Sequence, residues 1–266
     1  EKPQFLPVGE RAAARDIAVL AKAGRAPPVV WLGGFRSDMR ATKAEALAGW
    51  AQSEGRAFVR FDYSGHGESG GRFEDGTISR WRDDALAVLA GLALQRPVLV
   101  GSSMGGWIAL LVARALRRTA PERAPSALVL IAPAVDFTEE LMWQAFPSAI
   151  REEVMTKGRW LRASEYSPEP TPIARALIED GRANLLFGQE IETGCPVFVL
   201  QGMRDPDVPW RQATKLMEHL ASDPATLTLV RDGDHRLSRE QDIALLIETV
   251  GRAVRGSEPL SAGSPS

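Results

Sequence analysis

Val98-Leu99-Val100 runs into Gly101-Ser102-Ser103-Met104-Gly105-Gly106, and a helix-like stretch from Trp107 to Arg118 follows without a break. An apolar run that ends in Gly-x-Ser-x-Gly and passes at once into a helix demands a very sharp strand-to-helix turn. Such a turn holds its serine in a strained backbone conformation, and residues without a Cβ are needed where the chain approaches itself. Gly101, Gly105 and Gly106 meet that need. The turn would lift the Ser103 hydroxyl clear of the strand and aim the Met104 backbone N–H at the same place, which makes Ser103 a candidate nucleophile. The pentapeptide alone also fits a glycine-rich turn with an incidental serine, so the rest of the chain has to discriminate.

The rest of the chain alternates. Ile17–Leu20, Pro28–Leu32, Ala57–Phe61 and Ser126–Ile131 read as strands around the Val98 run, and helical spacing occupies Thr42–Glu54 and Thr77–Leu94 between them. Strict strand–helix alternation predicts a mostly parallel sheet with helices on both faces. The rhythm breaks between about 136 and 193, where apolar residues recur at helical intervals around a proline-rich knot, Ser167 to Pro172. This reads as a helical lid over the carboxyl edge of the sheet, without a buried strand. Alternation resumes with Pro196–Leu200, a helix from Trp210 to Leu220, the strand Thr226–Val230 and a helix from about Leu237 to Val254. The expectation is one α/β domain over residues 1–266, with the insertion at about 136–193 and a disordered Ser/Gly/Pro-rich tail from 256 to 266.

Composition narrows the classes. With 266 residues and 44% hydrophobic content the chain can bury a large core. Its net charge of −2, with arginines scattered rather than grouped, gives no nucleic-acid or polybasic membrane surface. Cys195 is the lone cysteine, so no intrachain disulfide can form. No apolar stretch reaches the length of a membrane span, and Glu1 to Glu10 is polar, with no signal-peptide core. A cytoplasmic location is the expectation, with an organelle matrix as the alternative.

A serine hydroxyl needs a base, and the base an orienting carboxylate; in this kind of fold both follow the serine in the chain. Of the three histidines, His219 lies mid-helix and reads as a packing or surface residue. His66 precedes the serine and reads as a loop hydrogen-bonder. His235, in Asp232-Gly233-Asp234-His235-Arg236 after the last strand, is the candidate general base and acid. Asp205 in Gly202-Met203-Arg204-Asp205-Pro206-Asp207-Val208-Pro209 is the favoured carboxylate. Asp207, and Asp136 after the Ser126–Ile131 strand, are the alternatives. A second oxyanion donor beside Met104 is expected from the loop after the first long parallel strand, where Gly33-Gly34-Phe35 makes Phe35 N–H the candidate. Met142, Trp143, Phe146 and Trp160 either line an acyl or aromatic pocket or simply pack. No metal or cofactor is called for. The chemistry expected is hydrolysis of a small ester or thioester, an acylated protein included. A C–C bond hydrolase, a small peptidase or amidase, or a receptor without chemistry are the competing readings.

The chain resembles the α/β-hydrolase superfamily. Within it, the chain is similar to the group holding the mitochondrial palmitoyl-protein thioesterase that also cleaves mycophenolic acid acyl-glucuronide, with its bacterial relatives. The resemblance is carried by Trp31 to Met39, Thr42-Lys43-Ala44, Arg60 to Gly65, Trp81 to Asp84, Gly101 to Trp107, Gln201 to Asp205 with Val208-Pro209-Trp210, and Asp234-His235-Arg236. Lys157 to Trp160 and Glu165-Tyr166-Ser167 extend it into the insertion, so that it runs from about Pro28 to Val250. It implies the triad Ser103, Asp205 and His235, hydrolysis of carboxylic esters or thioesters, and no cofactor. The relative's Pro-Gly-Tyr-type sequence at the position of Gly33-Gly34-Phe35 differs, which bears on its particular substrates rather than on its chemistry.

Overall fold

The computed structural model describes residues 1–10, 14–163, 169–220 and 222–258. Among the described residues ten strands are formed: β1 (Gln4–Val8), β2 (Arg15–Lys22), β3 (Arg25–Leu32), β4 (Arg56–Phe61), β5 (Val98–Ser102), β6 (Ala127–Ile131), β7 (Arg159–Arg162), β8 (Thr171–Ala174), β9 (Val197–Gly202) and β10 (Ala225–Val230). Eight of them make one sheet in the order β1-β2-β4-β3-β5-β6-β9-β10. From β4 to β10 every pairing is parallel, while β1 and β2 run antiparallel at one edge.

The central strands are buried on both faces, and their side chains alternate between two cores as the two-residue period requires. Val30, Leu32, Leu99, Leu128, Leu130, Val197 and Val199 point into one layer. Val29, Trp31, Val98, Val100, Val129, Ile131 and Leu200 point into the other. The first layer is closed by α2 (Ile78–Gly91), α3 (Met104–Thr119) and α6 (Trp210–His219), with Trp81, Trp107 and Leu216 inward. The second is closed by α1 (Thr42–Ser53) and α7 (Glu240–Ser257), through Leu47, Leu246 and Val250. Thr77 caps α2, its hydroxyl accepting the Arg80 N–H.

Three elements depart from the sequence reading. β1 falls in Glu1 to Glu10, which reads as a polar stretch with no strand. It is an edge strand in which Pro7 is tolerated and Val8 alone is buried, so it carries no apolar pattern. The segment between β6 and β9 is not purely helical. A turn of π-helix (Thr138–Trp143), α4 (Ser148–Lys157) and α5 (Arg175–Ala183) are joined by an antiparallel ribbon of β7 and β8. Arg159-Trp160-Leu161-Arg162 is largely exposed and Pro172 interrupts its partner, which hides both strands from a search for buried apolar runs. Ser167 and Pro168 of the proline knot lie outside the described residues. At the other end α7 runs through Gly256 and Ser257, two residues into the expected tail, and the Glu258 carboxylate meets Arg56 at 2.5 Å; residues 259–266 lie outside the described ones.

Going from β3 the chain adds β4 on one side, then returns to add β5 on the other. A parallel sheet opens a crevice at such a reversal, outside the carboxyl ends of the two strands. The loops after β3 and β5 therefore flank one depression, and both carry glycines.

The layered core predicts a contrast in stability. Leu99→Ala, at a position with no solvent exposure, should lower the unfolding free energy by about 2–5 kcal/mol in urea titrations. Phe5→Ser on β1, where the ring is 54% exposed, should change it by less than about 1 kcal/mol.

Candidate active site

Ser103 joins β5 to α3 with φ 54° and ψ −118°, a conformation non-glycine residues rarely adopt. It is held there from both sides: its N–H donates to the Ile131 carbonyl at 2.8 Å, and its carbonyl accepts from Gly106 (2.9 Å) and Ala134 (3.1 Å). The neighbouring glycines follow from contact. A Cβ on Gly105 would lie 2.1 Å from the Leu32 carbonyl oxygen, and one on Gly101 2.3 Å from that of Gly105. Met104 opens α3, so its N–H is among those without an intrahelical acceptor.

Two later loops reach Ser103. His235 Nε2 lies 3.1 Å from Ser103 Oγ, and His235 Nδ1 lies 2.8 Å from Asp205 Oδ2. Asp205 follows β9 and is buried. Besides His235, its carboxylate accepts from Gln201 Nε2 (3.0 Å), Asp207 N–H (2.9 Å) and Val208 N–H (2.8 Å). Four donors occupy its two oxygens, so its orientation toward the imidazole is fixed. Gly202 lets the two loops meet, since a Cβ there would sit 2.5 Å from the carbonyl oxygens of Gly233 and Asp234. On the far side of His235, Lys43 of α1 donates to the Arg236 carbonyl and lies 3.4 Å from Ser238 Oγ. Burial pushes the Lys43 ammonium down to about 8.

The loop after β3 lies against the serine: a Cβ on Gly34 would be 3.4 Å from the Ser103 Cβ. Phe35 is next, its ring edge-on to Phe73 (5.0 Å), Phe137 (5.7 Å) and Trp81 (5.9 Å). The structure thus gathers Ser103, Met104, Phe35, His235 and Asp205 at the carboxyl edge of the sheet.

The four apolar candidates of the insertion are arranged differently. Met142 is buried in the core. The Trp143 ring is covered by the guanidinium groups of Arg182 (4.7 Å) and Arg151 (5.6 Å). Phe146 and Trp160 pack edge-on at 5.3 Å. Among the described residues of this segment, Phe137 is the aromatic that reaches the Phe35 loop, and it also meets Trp107 at 5.7 Å. It was invisible in the sequence because it stands at the mouth of the insertion rather than in its helical stripe. Gln201 was missed too, although a polar residue closing an apolar strand was a usable signal.

The other titratable candidates have different work. Asp136, with φ 56°, accepts the N–H groups of Leu186 and Phe187 and so ties the returning chain to the end of β6. His219 lies 2.8 Å from the Lys215 carbonyl through Nδ1 and packs on Phe187. The Cys195 thiol is buried just before β9 and pushed up to about 11. Among the described residues, Asp205, Asp207 and His235 bring possible metal-ligand atoms within 4.8 Å of one another. A cation there would displace donors that already satisfy Asp205, so this donor set suits an imidazole better than a metal.

Comparison with known proteins gives this arrangement its family. The pattern described as "Alpha/beta hydrolase family" matches residues 26–249. The mouse protein named "Palmitoyl-protein thioesterase ABHD10, mitochondrial" is 36% identical over 228 residues, covering 85% of this chain and 75% of its own. A solved putative hydrolase from Agrobacterium vitis S4 superposes with a TM-score of 0.92 at 50% identity, covering 95% of this chain and 98% of its own. The solved mouse alpha/beta hydrolase domain-containing protein 10 gives 0.84 at 33% identity, covering 97% and 100%. The chain belongs to the alpha/beta hydrolase family, and these relatives make it an esterase- or thioesterase-like enzyme of that family. They also overturn the cytoplasmic expectation, since the mouse relative and its human counterpart are mitochondrial by name. One buried cysteine fits either reducing compartment and could not separate them. No helix among the described residues is long and apolar enough to cross a membrane.

Burial raises the Asp136 carboxyl to about 6, against the two N–H donors that pull it down. Its folded pKa lies above the unfolded value, so between about pH 4 and pH 6 the folded chain keeps a proton that the unfolded chain releases. Stability should therefore fall as pH rises through that window, by on the order of 3 kcal/mol from this group. Denaturant titrations of wild type and Asp136→Asn at several pH values should differ in slope there and run parallel above it.

Proposed function

We propose that the chain is a cofactor-independent serine hydrolase that cleaves carboxylic esters or acyl-thioesters through an acyl-enzyme on Ser103. The observation that carries this is the row Ser103 Oγ, His235 Nε2, His235 Nδ1 and Asp205 Oδ2, with separations of 3.1 and 2.8 Å across its two gaps. In this reading Ser103 Oγ bonds to the acyl carbon while its proton passes to His235 Nε2. Asp205 keeps the Nδ1–H tautomer and stabilises the imidazolium. The backbone N–H groups of Phe35 and Met104 hold the oxyanion, the largest electrostatic contribution in such reactions. The leaving alcohol or thiol departs with the His235 proton. Water then gives a proton to His235, attacks the acyl carbon, and the acid leaves as Ser103 regains its hydrogen.

The mouse relative's name supports a long acyl thioester on a protein as one substrate class; small esters are the other. The segment 136–193 serves as a lid in this proposal. It is fastened to α2 where Asp180 accepts the Ser79 N–H at 2.8 Å and Asn184 donates to Ser79 Oγ at 2.9 Å. Phe137 is its contribution to the acyl site.

Ser103→Ala should abolish p-nitrophenyl ester turnover and fluorophosphonate labelling, and Asp205→Asn should lower kcat by about 10⁴-fold. A Ser103→Ala protein that turns over and labels like wild type would rule the reading out.

A further inference from the structure

The loop after β4 takes no part in the row of Ser103, His235 and Asp205, yet it holds a second histidine in contact with the Phe35 loop. His66 is 4% exposed. Its ring is boxed edge-on by Phe73 (5.1 Å), Trp81 (5.2 Å) and Tyr63 (5.9 Å). Its Nδ1 lies 3.3 Å from the Ser64 carbonyl, and its Nε2 accepts the Arg36 backbone N–H at 3.2 Å. A carbonyl needs a donor and a backbone N–H needs an acceptor. These two neighbours therefore admit one form of the ring: neutral, with the proton on Nδ1. Burial, with Arg36 nearby, favours the same form and brings the imidazole down to about 4, against the opposing pull of the Ser64 carbonyl.

What Nε2 holds is the peptide that follows the Phe35 donor. Ser37 N–H donates to the Gly34 carbonyl at 3.1 Å, closing a turn whose third residue, Arg36, has φ 58°. A positive φ there is the mark of a type II turn, normally a glycine position. Turning the Phe35–Arg36 peptide over would relieve that φ. It would also point the N–H away from His66 and leave the buried Nε2 without its donor. The acceptor is itself braced. Trp81 Nε1 donates to the Ser64 carbonyl at 3.1 Å, Ser64 N–H and Oγ reach the Asp84 carboxylate at 2.9 and 2.7 Å, and Arg15 pairs with Asp84. Phe35 and His66 share the same two supporting rings, Phe73 and Trp81.

We propose that His66 is a positioning residue whose bare Nε2 clamps the Phe35–Arg36 peptide and so keeps the Phe35 N–H trained on the developing oxyanion. The proposal rests on the reading of Ser103 as nucleophile and Phe35 as donor. His66 exchanges no proton in the cycle.

His66→Phe keeps the ring volume and the aromatic box but removes the acceptor; His66→Gln offers an amide oxygen close to the place of Nε2. Turnover of p-nitrophenyl acyl esters, the rate of fluorophosphonate labelling and thermal unfolding are measured for each. His66→Phe should lower kcat by up to about 10²-fold, the scale of a misplaced reacting group. KM should stay within about twofold of wild type, as for a contribution made in the transition state alone. Labelling should slow in proportion, and His66→Gln should recover most of the loss. A folded His66→Phe enzyme with kcat within about twofold of wild type overturns the clamp, and so does a His66→Gln enzyme no better than His66→Phe. If His66→Phe does not fold, nitrogen–proton correlation spectra of the wild type decide: a bare Nε2 at neutral pH supports the clamp, and a protonated Nε2 overturns it. Ser103→Ala separates the two proposals. Turnover retained there removes the nucleophile reading, whereas an inert Ser103→Ala beside a fully active His66→Phe removes the clamp alone.

Discussion

The site depends on the close approach of three backbones at the carboxyl end of β5. The chain leaves β5, reverses through Ser103 and enters α3 within a space where even a methyl group on Gly105 would overlap the Leu32 carbonyl oxygen. Strain at Ser103 costs on the order of 1–3 kcal/mol and persists only if the surroundings over-determine it. Here they do: Ser103 N–H donates to the Ile131 carbonyl, and the Ser103 carbonyl accepts from Gly106 and Ala134. Those bonds draw on the turn itself, on the last residue of β6 and on the loop after it, so the serine is held by the sheet as well as by its own turn. The loops of Phe35, Asp205 and His235 then need only reach inward from strand ends that the same sheet aligns.

Polar satisfaction does the rest of the positioning. Asp205 is buried with four donors on its two oxygens, and Gln201, a side chain of the strand itself, is one of them. Asp62, in the loop after β4, accepts from Met39 N–H at 2.6 Å and Glu68 N–H at 2.8 Å, joining that loop to the one after β3. Gly67 is required there because a Cβ would lie 2.1 Å from an Asp62 oxygen. Burial raises the carboxyls of Asp62, Asp84 and Asp136 above the usual range. Asp62 and Asp136 each tie one irregular segment to another, and Asp84 of α2 holds the loop after β4 through Ser64 and pairs with Arg15 of β2, which is work a surface carboxylate cannot do.

Most of the sheet was legible because its strands are buried on both faces and read as unbroken apolar runs; Val29–Leu32, Val98–Val100 and Leu128–Ile131 are of this kind. The elements that escaped are those whose stability is not written in apolar pattern. β1 is an edge strand, and β7 is a largely exposed strand paired through main-chain hydrogen bonds with β8, whose four residues are too few to show an apolar run. Ser103, His235 and Asp205 could be picked out because each follows a recognisable strand and chemistry restricts the residue types. The pocket could not. Met142 and Trp143 stand at helical spacing whether they face substrate or core, and only three-dimensional packing tells the two apart. His66 was readable as a loop hydrogen-bonder, but its partner on another loop was not.

Side chains alternate strictly along β5: Val98 and Val100 enter one core layer and Leu99 the other. Ser103 follows the last residue of this strand directly, three positions after Val100, so the strand's parity sets where the serine turn starts. An insertion or deletion of one residue within β5 would exchange the two layers and turn the hydroxyl away from His235 in a single stroke. Core and site therefore have a common phase, and a length change in this strand cannot disturb one without the other.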